Sequence, residues 1–203
     1  MFDDTYRTID SVSEGVYKEK GSKFIAFAIP ATSEEEVKVH LSVIKKNHHD
    51  ARHHCYAYIL GHNKSAYRIN DDGEPSGTAG KPIYGQLLSK DLTNVLVVVV
   101  RYFGGTKLGV SGLITAYKEA AKEALGSARI VEKTVNDVYR IEFEYPLMNS
   151  VMKVLKDECI EQFNQTFEMN CLLDISVRTS QSPRICDIFN KIPGVVIAYL
   201  YTA

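Results

Sequence analysis

Apolar and polar positions alternate at the start of the chain and predict strands. Gly15-Val-Tyr-Lys-Glu and Ser22-Lys-Phe-Ile-Ala-Phe-Ala-Ile29 read as a hairpin turning at Lys20-Gly21, and Pro30 ends its second strand. Ser33-Glu-Glu-Glu36 then reads as a capping box with an acidic first turn. The helix it opens carries Val37, Leu41 and Ile44 on one face and stops near Asn47. His54 to Leu60 and Ser65 to Ile69 are two further strands, joined by Gly61-His-Asn-Lys64. Pro82 to Ser89 predicts a short helix. Val95 to Val100 is an unbroken apolar run, so it predicts a strand covered on both faces. Leu113, Ala116, Tyr117, Ala120, Ala121 and Ala124 recur at helical spacing behind it, with Gly126 as the expected C-cap.

The texture changes around Val131 to Asp137. Val138 to Tyr145 alternates as a strand, and Pro146 opens a helix to about Asp157. Ile160 to Phe167 and Leu172 to Thr179 read as strands. Pro183 to Lys191 is a second helix, and Val195 to Tyr201 is a last strand. The order β-α-β-β-α-β is the signature of a ferredoxin-like domain, with two helices on one face of an antiparallel sheet. The pattern therefore predicts an α+β protein of two domains, residues 1–135 and 136–203.

Composition narrows the class only a little. A formal charge of −1 argues against a generic nucleic-acid coating protein. The charge is uneven, however. Residues 136–203 hold six Lys/Arg against nine Asp/Glu, while Lys38 to Arg68 holds six Lys/Arg against Asp50 alone, together with all six histidines. A local basic face in the first half is one reading, and an ordinary solvated face is the other. Cys55, Cys159, Cys171 and Cys186 are scattered without a C-x-x-C pair. With no apolar leader and no run of membrane-spanning length, a cytoplasmic protein with reduced thiols is expected.

Eight of the 13 glycines fall between Gly73 and Gly112. All but Gly85 lie in Asn70-Asp-Asp-Gly-Glu-Pro-Ser-Gly-Thr-Ala-Gly-Lys-Pro82 and Arg101-Tyr-Phe-Gly-Gly-Thr-Lys-Leu-Gly-Val-Ser-Gly112, which flank the apolar run. The second stretch reads as strand, glycine turn, helix. Such a turn directs backbone N–H groups and a helix dipole into one space, beside Arg101 and Lys107. It predicts an anion site formed by Lys81, Arg101, Gly104, Gly105, Lys107, Gly109 and Ser111. Close packing of the helix on the strand is the competing explanation. A P-loop is excluded, because positions 75 and 82 are proline where glycine and Ser or Thr are needed. G-x-G-x-x-G is absent too, which excludes a Rossmann dehydrogenase.

Asp71, Asp72 and Glu74 put three carboxylates within four residues, facing the positive turn in this reading. With His53 and Thr78 they form a candidate polar site for general acid–base work or a hard cation, or else they are turn chemistry. His53 and Cys55 share one face of a strand, but too few further ligands are at hand for zinc, so no metal or cofactor is expected. Tyr102 and Phe103 are either base-stacking or packing residues.

DDGEPSGTAGKPI at 71–83, VVVVRYFGGTKLG at 97–109 and DARHHCYAY at 50–58 resemble the IMPACT/YigZ family, over most of residues 10–130. The resemblance implies an N-terminal β-α-β domain like those of several ribosomal proteins and of domain IV of elongation factor G. It also implies a ferredoxin-like C-terminal domain similar to domain V of that factor. Eukaryotic IMPACT is a translational regulator, so the resemblance implies binding to RNA, the ribosome or a translation factor. The family motif maps onto His53, Asp71, Asp72, Gly73, Glu74, Gly77, Thr78, Gly80, Lys81, Arg101, Gly104, Gly105 and Gly109, with no agreed catalytic role for any of them. Ser111 departs from the pattern, which usually has a second adjacent glycine there. No DNA specificity and no membrane contact are expected, and the chain is expected to be a monomer or weak homo-oligomer. The alternatives are an enzyme acting on a phosphorylated or nucleotide-like substrate, and a pure protein-interaction module.

Overall fold

A computed structural model describes residues 4–203. They divide into two compact units, one spanning Tyr6–Lys133 and the other Thr134–Ala203 together with Asp4 and Thr5. The larger unit contains β1 (Thr5–Ile9), β2 (Ser13–Glu19), β3 (Ser22–Pro30), α1 (Glu34–Asn47), β4 (His53–Leu60), β5 (Ala66–Asn70), α2 (Gly80–Ser89), β6 (Val95–Tyr102), α3 (Gly109–Ser127) and β7 (Ile130–Thr134). Its main sheet runs β2-β3-β6-β4-β5, and β1 pairs with β7. Every pairing in the main sheet is antiparallel.

The apolar run occupies the central strand of that sheet. Val95, Val97 and Val99 pack with α2 and α3 on one face, while Leu96, Val98 and Val100 pack with Val37 and Ile44 of α1 on the other. All six are fully buried. That explains why β6 lacks polar alternation: neither face meets water.

Local signals fix several boundaries. Ser33 caps α1 by accepting from Glu36 N at 3.2 Å. The reciprocal half of the capping box shifts by one residue, since the Glu36 carboxylate accepts from Thr32 N at 2.7 Å. Two expectations need correction. Gly126 lies inside α3, which runs on to Ser127, and α2 starts at Gly80 rather than Pro82. Both shifts follow from burial: α3 continues because Ala124 and Leu125 still face the core, and Ala79, Gly80 and Ile83 are buried at the start of α2.

The smaller unit contains β8 (Asn136–Glu144), α4 (Met148–Asp157), β9 (Glu161–Phe167), β10 (Asn170–Arg178), α5 (Ser182–Asn190) and β11 (Val196–Thr202). The sheet order is β11-β8-β10-β9, all antiparallel, which is the ferredoxin-like arrangement. Its core joins Ile141, Phe143, Leu173 and Ile175 to Val151, Leu155, Ile185 and Phe189 from the helices. Asp4 belongs to this unit through a two-pronged contact with Arg178, both distances 2.7 Å. No helix among the described residues is long and apolar enough to cross a membrane.

β2 and α3 approach closely in the larger unit. Ser13 Oγ donates to the Ala124 carbonyl at 2.8 Å. A Cβ built on Gly15 would lie 2.2 Å from Ala124 N and 2.7 Å from Glu123 Cβ. Gly15→Ala therefore forces β2 off the helix, at a cost of about 1–3 kcal/mol. In a thermal melt of the full chain the midpoint falls by about 5 °C; an unchanged midpoint refutes the close approach.

Candidate functional site

The first glycine stretch is a turn folded around its own carboxylates. Asp72 and Gly73 both adopt left-handed backbone, with φ of 42° and 85°. The turn closes where Glu74 N donates to the Asp71 carbonyl at 2.9 Å. The Asp71 carboxylate accepts from the N–H groups of Gly77 at 2.8 Å, Ala79 at 3.0 Å and Gly80 at 2.8 Å. It thereby caps α2, whose own N-cap position is Ala79 and offers no side chain for the task. Burial pushes the Asp71 carboxyl up, but the three N–H donors outweigh it and hold it below the ordinary carboxylate range. The Asp72 carboxylate accepts from His54 N at 2.7 Å, and Thr78 Oγ1 donates to the Pro75 carbonyl at 2.7 Å. Asp71, Asp72 and Thr78 thus serve the turn.

Glu74 faces the other way, into a buried cluster. Its Oε1 accepts from Arg101 Nη1 at 2.6 Å and from Tyr117 Oη at 2.8 Å. The side chains of Arg101 and Glu74 are only 8% and 4% exposed. Cys55 Sγ lies 3.3 Å from Tyr117 Oη and 3.0 Å from the Asp71 carbonyl. Burial pushes the Cys55 thiol and the Tyr117 hydroxyl far up, so both stay neutral at physiological pH. His53 Nδ1 sits 2.8 Å from the Asp72 carbonyl, which makes that nitrogen the N–H donor. Its Nε2 is then the open nitrogen, 3.8 Å from Glu74 Oε1.

The second glycine stretch leads from β6 into α3. A Cβ on Gly104 would lie 1.9 Å from the Gly21 carbonyl carbon, so only glycine lets this loop rest on the β2–β3 hairpin. Gly109, with φ of 72°, turns the chain into the helix. Leu108 at the N-cap makes no side-chain bond, and the first turn of α3 has no acidic residue. Its first N–H groups therefore lack an internal side-chain acceptor.

Between the two stretches lies a cavity of about 380 Å³, lined by Arg52, His53, Glu74, Arg101, Phe103 and Lys107, with Gly109 and Val110 from the start of α3. Arg101 Nε is buried without an acceptor among the described residues, and its guanidinium stacks 5.5 Å from the Phe24 ring centre and 5.6 Å from that of Phe103.

Not every residue singled out in the sequence lines this groove. Lys81 lies on α2 against Gly77. Gly104 and Gly105 shape the loop. Ser111 is in the first turn of α3, where serine is conformationally harmless, and it lines a separate recess with Tyr17 and Glu19. Arg52 was missed. Its signal was its place directly before His53, the strand residue paired opposite Arg101. Among the described residues no three His, Cys, Asp or Glu side chains converge as a metal site.

Comparison with known proteins gives a consistent picture. The Impact N-terminal domain matches residues 20–125. The chain is similar to IMPACT family member YvyE of Bacillus subtilis, with 35% identity over 153 residues, 75% of this chain and 70% of that one. It is similar to IMPACT family member YigZ of Escherichia coli, with 32% identity over 160 residues, 78% of each. A crystal structure described as a hypothetical protein superposes with a TM-score of 0.77 at 27% identity, covering 98% of both chains.

The role of Asp71 is testable by pH. Its folded-state carboxyl lies below the unfolded value, so its stabilisation is fully present above about pH 4 and is lost as pH falls through the depressed value. Asp71→Asn lowers unfolding free energy by about 2 kcal/mol at pH 7. Urea titrations show the gap to wild type closing in acid; a gap independent of pH contradicts the capping role.

Proposed function

The chain belongs to the IMPACT family, and from that premise we propose that it acts in translation by binding RNA, with the phosphate backbone held in the groove between Gly73 and the start of α3. The observation that carries this reading is the cationic wall of the groove. Arg52 and Lys107 are exposed on it, and among the described residues neither is paired to a carboxylate. The uncapped first turn of α3 adds backbone N–H donors, and the acid lining the groove, Glu74, is already paired with Arg101. Two unpaired Lys/Arg side chains and a helix N-terminus together suit a phosphodiester.

The resemblance to the family supplies the link to translation. The enzyme reading has less support, because Asp71 and Asp72 are engaged by backbone N–H groups and Glu74 by Arg101 and Tyr117. Among the described residues lining the groove, Nε2 of His53 is left as the base, with no free carboxylate beside it.

Binding is measured by fluorescence anisotropy with a labelled single-stranded RNA across a salt series. Wild type binds with a negative slope of log affinity against log salt. Arg52→Ala/Lys107→Ala weakens binding about tenfold or more and reduces the slope magnitude by about 1.4, at roughly 0.7 per lost phosphate contact on a single strand. Absence of binding by folded wild-type protein at low salt, or an unaltered slope in the variant, refutes the reading.

A further inference from the structure

Two successive aromatic residues, Tyr102 at the end of β6 and Phe103 just beyond it, line different grooves. Phe103 belongs to the groove described above. Tyr102 belongs to a second cavity of about 580 Å³, lined by Lys23, Ile25, Asn47, His49, Asp50 and the His48 ring. One peptide separates the two aromatics. The same junction recurs in the chain before β4, where His49 and Asp50 line the second groove and Arg52 and His53 the first.

The second groove differs from the first in its acid: Asp50 is exposed and accepts only from a neutral hydroxyl, so its charge is set against those of the lysines around it. Tyr102 Oη donates to Asp50 Oδ1 at 3.3 Å and lies 2.8 Å from His48 Nδ1. Lys23 stands on β3 directly opposite Tyr102. Lys45 and Lys46 occupy the last turn of α1, immediately before the groove. All three lysines are exposed, and none forms an ion pair among the described residues. Elsewhere in the same unit Lys38, Lys64, Lys122 and Arg129 are paired to carboxylates. Complementing the α1 dipole explains Lys45 and Lys46, as it explains Glu34, Glu35 and Glu36 at the opposite end. It does not explain Lys23, which is on a strand.

Resting on the RNA-binding reading of the first groove, we infer that the second groove is a further subsite for the same single-stranded RNA. The strand passes over the end of β6, with phosphates at Arg52 and Lys107 on one side and at Lys23, Lys45 and Lys46 on the other. Phe103, 46% exposed, offers a ring for a base at the crossing. A flexible single strand can bend over one peptide between two open grooves; a duplex is too stiff to follow that path.

The test uses the full chain and 5′-fluorescein oligouridylates of about 4, 8 and 12 nucleotides, a range matched to single-strand site sizes. Wild-type affinity rises at least about tenfold from the shortest to the longest. Lys23→Ala/Lys45→Ala/Lys46→Ala, checked for folding by circular dichroism, loses most of that gain, and its salt slope on the longest probe shrinks by about 2. A triple variant that matches wild type at every length, while Arg52→Ala/Lys107→Ala still weakens binding, overturns the second subsite and leaves the first groove standing. Failure of wild type to bind any probe removes both.

Discussion

The buried pair of Arg101 and Glu74 holds the site together. Taking two charges out of water costs several kcal/mol per ion, and that cost is offset only by close geometry and added hydrogen bonds. Both are present. One carboxylate oxygen receives Arg101 at 2.6 Å and Tyr117 at 2.8 Å. Arg101 comes from the end of β6, Glu74 from the first glycine turn and Tyr117 from α3, so the pair locks three separate segments at one point. The thiol of Cys55 extends the lock to the Asp71 carbonyl. The groove beside it therefore has rigid walls: neither glycine stretch can shift without leaving a charge buried alone.

The same turn decides the sign of the groove. Asp71, Asp72 and Glu74 would make a negative surface if they faced solvent. Each is engaged within the protein, by the α2 N-terminus, by the β4 backbone and by Arg101 respectively. What remains outward is Arg52 and Lys107. A chain with net charge −1 thus presents a cationic face by satisfying its carboxylates internally. Overall charge carries no information about such a face.

The main elements were legible because their periods are strong. The hairpin at Lys20-Gly21, the cap at Ser33, the two-sided strand at Val95–Val100 and the ferredoxin-like order all follow from local pattern. β1 and β7 were not legible. Each has five residues, with no clean alternation and with its partner over a hundred residues away. The contact of Asp4 with Arg178 was hidden by the same long separation. Both glycine stretches border the groove, but side-chain direction within them was hidden. Consecutive left-handed residues, Asp72 and Gly73, reverse the chain and send Glu74 away from Asp71. Aspartate tolerates that backbone without announcing it in sequence.

The inventory of donors also sets what kind of recognition the surface can achieve. Lysine, arginine and helix N–H groups address phosphate oxygens, which are the same in every nucleotide. Sequence discrimination needs acceptors and donors aimed at base edges, and around the first groove the carboxylates are already engaged by the protein, which leaves Nε2 of His53 as the open side-chain acceptor. Stacking on Phe103 is tolerant of base identity, since every base has a π-face. On the RNA-binding reading proposed above, such a surface would take single strands by backbone and shape, and selectivity would rest on which strands are accessible and bendable at their point of contact.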